Sequence, residues 1–430
     1  MKKNNYKIKT KEIELKTCFI ICTAISLFLT LAVLYISHGN GFSKIFFHDS
    51  LDTGMDFFHS IEYTKGRVPY KKFSTLYPPL ANLCFYALYL LIPFWQCDSW
   101  AETFEDGIAV RGTDIDMRIW QPTLLIFILF IMITSCCLFM LLQRVLDSKQ
   151  TSNLFAIACM FSYGVLYAFE RGNIIIIAFA CCLFFLIYYE SENKITKEIS
   201  LIMLAVAAGL KLYPALFGII LLYNKHYKEA IRTIMYGVIC FIFPFFAFRE
   251  KLSGMRIFFN TLFNFSEKGN DLVTGFSFDK ILYNILLIIN HFIELQNYEL
   301  VLKNIGGVLN FAIAAIVLLC GFSMRKKWEK VLCCSLAMIL VQNQAGYIMS
   351  FLLLPLSFLI KEEKKMNYHN IIPFGALVLS VIILPIYYNE NTEVSLYYLR
   401  FQVGLMILFL YIIVKCIKRI YMKIVTKIDL

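Results

Sequence analysis

CFIICTAISLFLTLAVLYI, residues 18–36, carries no charge and has the length a bilayer demands, since roughly 20 apolar residues in a helix cover about 30 Å of hydrocarbon. The run is too long for a secretory leader and no small-residue cleavage site follows it, so it reads as a retained first helix. Comparable runs recur to the end of the chain. The composition agrees, with 59% hydrophobic against 17% charged residues, 40 Phe and 25 Tyr. A soluble core cannot absorb that much apolar side chain. The expected fold is all-α, a polytopic integral membrane protein forming one domain over residues 1–430, with about 12 transmembrane helices plus juxtamembrane helices in the first outer loop.

A formal charge of +11 would suggest nucleic acid in a soluble protein, but here the basic residues sit in short clusters between apolar runs and report topology instead. No nucleic-acid partner is expected. Lys2, Lys3, Lys7, Lys9, Lys11 and Lys16 place the N-terminus in the cytoplasm. Lys415, Lys418, Arg419, Lys423 and Lys427 do the same for the C-terminus. The first outer loop then spans residues 37–77 and a second spans 249–298, while Arg171–Asn173, the turn at Lys211, 343–344 and 389–399 also face out. Residues 79–95 are either a re-entrant or interfacial helix or a true second span, and 281–295 read as an interfacial helix. Of 14 Cys only Cys97 lies in a clearly polar loop. Without paired loop cysteines or a CxxC, the cysteines read as small apolar side chains rather than disulfides or metal ligands.

Polar residues gather at three places on the outer side. In the first loop are His48, Asp49, Asp52, Asp56, His59, Glu62, Lys65, Arg67, Lys71 and Lys72. Asp56, Phe57, Ser60, Ile61 and Thr64 follow helical spacing, Gly66 ends that helix, and Tyr77-Pro78-Pro79 begins the next. The loop can be simply solvated, but Asp56 lies between Met55 and Phe57-Phe58, at a partly dry boundary where a base can be tuned. The second place is Glu170-Arg171-Gly172-Asn173, where Arg171 either pairs with Glu170 or meets an anion. The third is Gly209-Leu210-Lys211-Leu212-Tyr213-Pro214, whose lone Lys211 either snorkels outward or holds a negative group. One acid and two cations make up the inventory for binding a lipid phosphate and deprotonating an alcohol.

These residues resemble glycosyltransferase family 87, the polyprenyl-phosphate-dependent membrane mannosyltransferases of the GT-C superfamily. Asp56, Gly66, Pro69, Tyr70 and Tyr77-Pro78-Pro79-Leu80 are similar to that family's Asp, Gly-x-x-x-Tyr and Tyr-Pro-Pro sequence. Gly172-Asn173 and Lys211-Leu212-Tyr213-Pro214 are similar to its Gly-Gln-x-Asn and Lys-x-Tyr-Pro. The similarity runs from about residue 50 to 290. No Gln follows Gly172, and the family's later Ser-x-x-x-His-like segment has only Gln342-Asn343-Gln344-Ala345-Gly346-Tyr347 in its place.

The resemblance implies a GT-C-like enzyme that moves a hexose, mannose foremost, from a polyprenyl-phosphate-linked sugar donor to a lipid or glycan acceptor, with inversion, on the outer face of the cell membrane. Membrane lipids are its surroundings. Asp56 matches the catalytic base. Lys211 and Arg171 would hold the donor phosphate, and Asp49, Asp52, Tyr77, Asn173, Tyr213 and Asn343 are further substrate-binding candidates. Asp49 and Asp52 form an Asp-x-x-Asp pair that could take a divalent ion, yet a solvated role outranks it, so no metal or other cofactor is expected. Two other classes stay open. A polysaccharide polymerase or ligase would concentrate its chemistry in a large late outer loop, and a lipid-sugar flippase would place ionisable groups at the midplane on inverted repeats.

Overall fold

The structure, a computed structural model, describes residues 13–46, 53–92, 116–146, 149–268, 272–341, 345–387 and 395–428. Asp49, Asp52, Cys97 and Asn343 lie outside the described residues. Those described form helices and turns, with no strand among them.

The first helix is α1 (Leu15–Ile36), succeeded by the short α2 (Phe42–Phe46). Three small helices follow: α3 (Met55–Tyr63), α4 (Pro69–Phe73) and α5 (Pro79–Tyr89). Proline opens both α4 and α5, where its missing N–H costs nothing. Next come α6 (Gln121–Gln143), α7 (Lys149–Met160), α8 (Tyr163–Arg171), α9 (Ile175–Tyr188) and α10 (Lys194–Leu210). The chain continues through a 3₁₀ turn at Tyr213–Gly218, α11 (Ile219–Tyr223), α12 (Tyr227–Ile242), α13 (Ser253–Lys268) and α14 (Phe278–Asn290). It ends with α15 (Tyr298–Gly321), α16 (Lys327–Val341), a 3₁₀ turn at Gly346–Leu352, α17 (Leu353–Glu363), α18 (Ile371–Val381) and the 33-residue α19 (Leu396–Ile428).

Among the described residues, four single helical stretches are long and apolar enough to cross a bilayer: Leu15–Ile36, Gln121–Gln143, Tyr227–Ala247 and Tyr298–Gly321. A fifth is formed if Ser152–Met160 and Tyr163–Arg171, bent by 56°, act as one span. These are fewer than the dozen crossings expected, and the described helices differ in what they face. The four long helices carry apolar side chains on their outside, among them Phe28, Ile133, Ile234 and Phe311, and a lipid-facing backbone must stay helical throughout. The inner helices meet protein, where a break can be satisfied locally. From Val331 to Leu340 every side chain of α16 is inaccessible, with α15, α17, α19 and the 346–352 turn packed around it. Hydropathy counts apolar runs, and several of those runs are broken inside the protein.

At 11 residues α5 is about 16 Å long, half of what a crossing needs. It packs against α3, α10 and α12. At the opposite end of α16 from the 346–352 turn, the inaccessible Glu329 pairs with Lys415 and, at 3.0 Å, with Arg419, fastening α16 to α19.

Candidate active site

The segment that carries α3 is drawn against the protein by its aromatic residues. Phe57 and Phe58 are buried among Phe85, Phe127 and Phe130, with ring centroids 5.1–6.3 Å apart. Gly54, in the left-handed conformation at φ 75°, starts α3, and its N–H donates to the Glu170 carbonyl at 2.9 Å. That single backbone bond sets the first turn of α3, where Asp56 stands, beside the last turn of α8.

The α8–α9 break supplies the partners. Gly172 closes α8 at φ 62° and lets the chain turn at once, so Arg171 and Asn173 both face α3. Arg171 Nη2 donates to Asp56 Oδ1 at 2.8 Å, and Asn173 Nδ2 donates to Asp56 Oδ2 at 2.6 Å. Both carboxylate oxygens are therefore engaged. Asn173 Nδ2 also donates to the Tyr77 hydroxyl at 3.1 Å, while its Oδ1 accepts from Ile175 N at 2.9 Å at the start of α9. The sequence offered Glu170 or an anion as the partner of Arg171, and the structure adds an ion pair to Asp56.

Lys211 arrives from the end of α10. Its ammonium lies 4.1 Å from the centroid of the Tyr77 ring and 5.8 Å from that of Tyr347. No carboxylate bonds to it among the described residues, so an aromatic pair holds a cation facing the Asp56 group. Tyr213 lies beside Tyr347, and its buried hydroxyl has no hydrogen-bond partner among the described residues. Tyr70, matched in the Gly-x-x-x-Tyr element, has a supporting place: its hydroxyl donates to the Tyr77 carbonyl at 3.3 Å and accepts from Asn82 Nδ2 at 3.0 Å.

The electrostatics stem from this geometry. Burial alone pushes the Asp56 carboxyl up, but the charge and hydrogen bond of Arg171, the hydrogen bond of Asn173 and the charge of Lys211 outweigh it and hold the group below the usual carboxylate range. Burial pushes the Lys211 ammonium down to about 8, with Asp56 opposing. The Tyr77 phenol is driven well up, first by burial and then by Asp56, and stays neutral. The site thus holds an ionised carboxylate and a cation close to losing its proton. Among the described residues no group of three His, Cys, Asp or Glu side chains could hold a metal ion.

Asp56, Arg171, Asn173, Tyr77, Lys211 and Tyr213 were all singled out by sequence and gather here. Tyr347 was not singled out, although it opens the 346–352 turn and completes the aromatic pair around Lys211. In a chain with 25 Tyr, nothing in the local sequence marks it.

A family model described as glycosyltransferase family 87 matches residues 76–343. The matched stretch takes in Tyr77, Arg171, Asn173 and Lys211 and reaches Asn343, beyond the residue 290 where the resemblance was expected to fade. Asp56 precedes it. No curated protein and no solved structure matches the chain.

Proposed function

This chain belongs to glycosyltransferase family 87, a GT-C-type membrane glycosyltransferase family, and from that premise we propose that it moves a hexose, mannose foremost, from a polyprenyl-phosphate carrier to a lipid-linked or glycan hydroxyl on the outer face. The observation that carries this reading is the constellation in which Asp56 is held on both oxygens by Arg171 and Asn173, with Lys211 poised over Tyr77. One base and two cations suffice for an inverting displacement.

In that reaction the acceptor oxygen attacks the anomeric carbon while the bond from that carbon to the phosphate oxygen breaks, and its electrons leave with the phosphate. Asp56 takes the hydroxyl proton. Lys211 and Arg171 stabilise the charge that grows on the phosphate, an effect that is strong where water is scarce. The guanidinium charge of Arg171 is shared between Asp56 and the donor phosphate, and the phosphate's own negative charge raises the basicity of Asp56 as the donor docks. The polyprenyl tail lies in bilayer or in grooves between the lipid-facing helices, so the membrane delivers the donor.

Reconstitution in lipid nanodiscs with radiolabelled polyprenyl-phosphate mannose, alongside the glucose analogue, tests the proposal. Transfer is expected from wild type and a fall of roughly 10²–10⁴-fold in Asp56→Asn, the usual contribution of a positioned base. Full activity in a folded Asp56→Asn protein removes Asp56 from the mechanism. Carrier movement across the bilayer without any transfer product supports the flippase reading instead.

A further inference from the structure

At 16 residues, with Arg256, Asn260 and Asn264 along it, α13 (Ser253–Lys268) is too short and too polar to cross a bilayer. One face meets protein. Phe258 is inaccessible, and its ring lies 5.8 Å from that of Tyr70 on α4 and 6.0 Å from that of Phe241 on α12. The exposed side is divided lengthwise. Phe259 and Phe263, 36% and 66% exposed, stand four residues apart and so on one line along the helix. Asn260 and Asn264, exposed as well, stand four apart on the adjacent line. Arg256, also exposed, precedes Phe259 by three residues and Asn260 by four, which puts it on the border between the two lines. Water favours only the second line, and hydrocarbon only the first. An apolar strip beside a polar one, with a cation on their border, suits a helix that lies in the plane of a membrane surface.

The depth of α13 agrees. The Tyr227–Ala247 stretch is long and apolar enough to cross a bilayer, with Phe243 and Phe246 open on its outside, and the charged Arg249, Glu250 and Lys251 mark where the chain leaves hydrocarbon. The elbow that follows is pinned to α4: Arg67 Nε donates to the Ala247 carbonyl at 2.7 Å, and Glu250 accepts from the Tyr70 and Lys71 backbone N–H groups at 3.1 and 2.5 Å. Beyond it the chain doubles back, so that the Phe259 ring lies 5.9 Å from that of Phe241. Phe241 precedes Ala247 by six residues, roughly 10 Å along the helix axis. An interfacial helix buries its apolar face about 5–10 Å deep. The open apolar surface of α13 therefore continues that of the spanning stretch.

We infer that α13 docks on the bilayer's own phospholipids, with Phe259 and Phe263 among the acyl chains and Arg256 against a headgroup phosphate. The inference goes beyond the transferase reading and does not depend on it. Its consequence reaches the site, because Tyr70, behind α13, donates through its hydroxyl to the Tyr77 carbonyl at 3.3 Å, and the Tyr77 ring carries Lys211. The membrane surface thus backs one wall of the Asp56 group.

The test places one full-length protein in each phosphatidylcholine nanodisc, with a phospholipid that carries a diazirine either near the glycerol backbone or at the acyl terminus. After illumination, attached lipid is located by mass spectrometry of peptides. The peptide holding Phe259 and Phe263 is expected to take several-fold more label from the shallow probe than from the deep one. A peptide without label from either probe, as a helix in water or under a protein partner would give, overturns the inference. Equal labelling by both probes does so too. For the headgroup contact, the shallow probe is carried on phosphatidylglycerol, which one nearby cation favours about fivefold over the same probe on phosphatidylcholine. Arg256→Gln should remove that preference. A preference absent from wild type, or surviving in Arg256→Gln, overturns the place given to Arg256. Labelling needs no turnover, so this result and that of sugar transfer are read separately.

Discussion

Gly172 lies so close to Phe57 that a β-carbon on the glycine would stand 2.7 Å from the Phe57 Cβ and 2.6 Å from the Phe127 ring. This approach brings α8 and α3 near enough for Arg171 and Asn173, on either side of Gly172, to reach Asp56, which precedes Phe57. Gly172→Ala meets two obstacles at once, the contact and a backbone φ of 62°. The conformation alone costs about 1–3 kcal/mol for a residue with a side chain. The variant is expected to unfold at lower temperature in nanodiscs and to lose transfer beyond what its folded fraction explains. Wild-type melting and turnover would show that the turn is not required.

Asn173 offers a sharper probe, because Asn173→Asp keeps the oxygen that accepts from Ile175 N and so preserves the start of α9. It replaces the Nδ2 donor, 2.6 Å from Asp56 Oδ2, with a second carboxylate oxygen. Two carboxylates in hydrogen-bond contact cannot both ionise cheaply, so one retains its proton. The acid limb of the kcat/KM profile should move up by about one pH unit or more. An unmoved limb would separate Asn173 from the base.

The pH dependence of the wild-type enzyme is set by two opposite requirements. A base must be deprotonated, and the depressed pKa of Asp56 keeps it so down to acidic pH. Lys211 must be protonated to hold phosphate, and that form is lost as pH rises through about 8. Donor kcat/KM should therefore be flat below neutrality and fall through about pH 8. Lys211→Arg, which stays charged, should abolish the basic limb even if its absolute rate is lower. Persistence of that limb in Lys211→Arg would assign it to another group.

Much of the site was legible because charge is rare in an apolar chain. Asp56, Arg171 and Lys211 stood out as interruptions, and Gly172 and Tyr77-Pro78-Pro79 marked the turns that aim them. The aromatic part was not legible, since Tyr347 reaches Lys211 through a tertiary approach with no local periodicity. The long-range fastening of Arg67 to Ala247 and of Glu250 to α4 was equally hidden. The breaks within apolar runs were hidden for a related reason: apolar runs record what is buried, and inside this protein burial does not require an unbroken helix.

Arg400, in the first turns of α19, provides a separate test of how the start of that helix is held. It is 7% exposed, its Nε and Nη2 have no hydrogen-bond partner among the described residues, and its one described bond runs to the Ile382 carbonyl at 3.4 Å. Its guanidinium lies 5.0 Å from the centroid of Tyr163 and 4.1 Å from that of Phe401. Two unmet buried donor nitrogens cost about 1–3 kcal/mol each, whereas a cation–π contact returns about 0.5–2 kcal/mol. Desolvation wins, so Arg400→Met, which keeps the volume and removes the charge, should melt at the same temperature as wild type or higher. A melting temperature lower by several degrees in neutral nanodiscs would mean that the charge is offset by a further partner, and this account of Arg400 would fail.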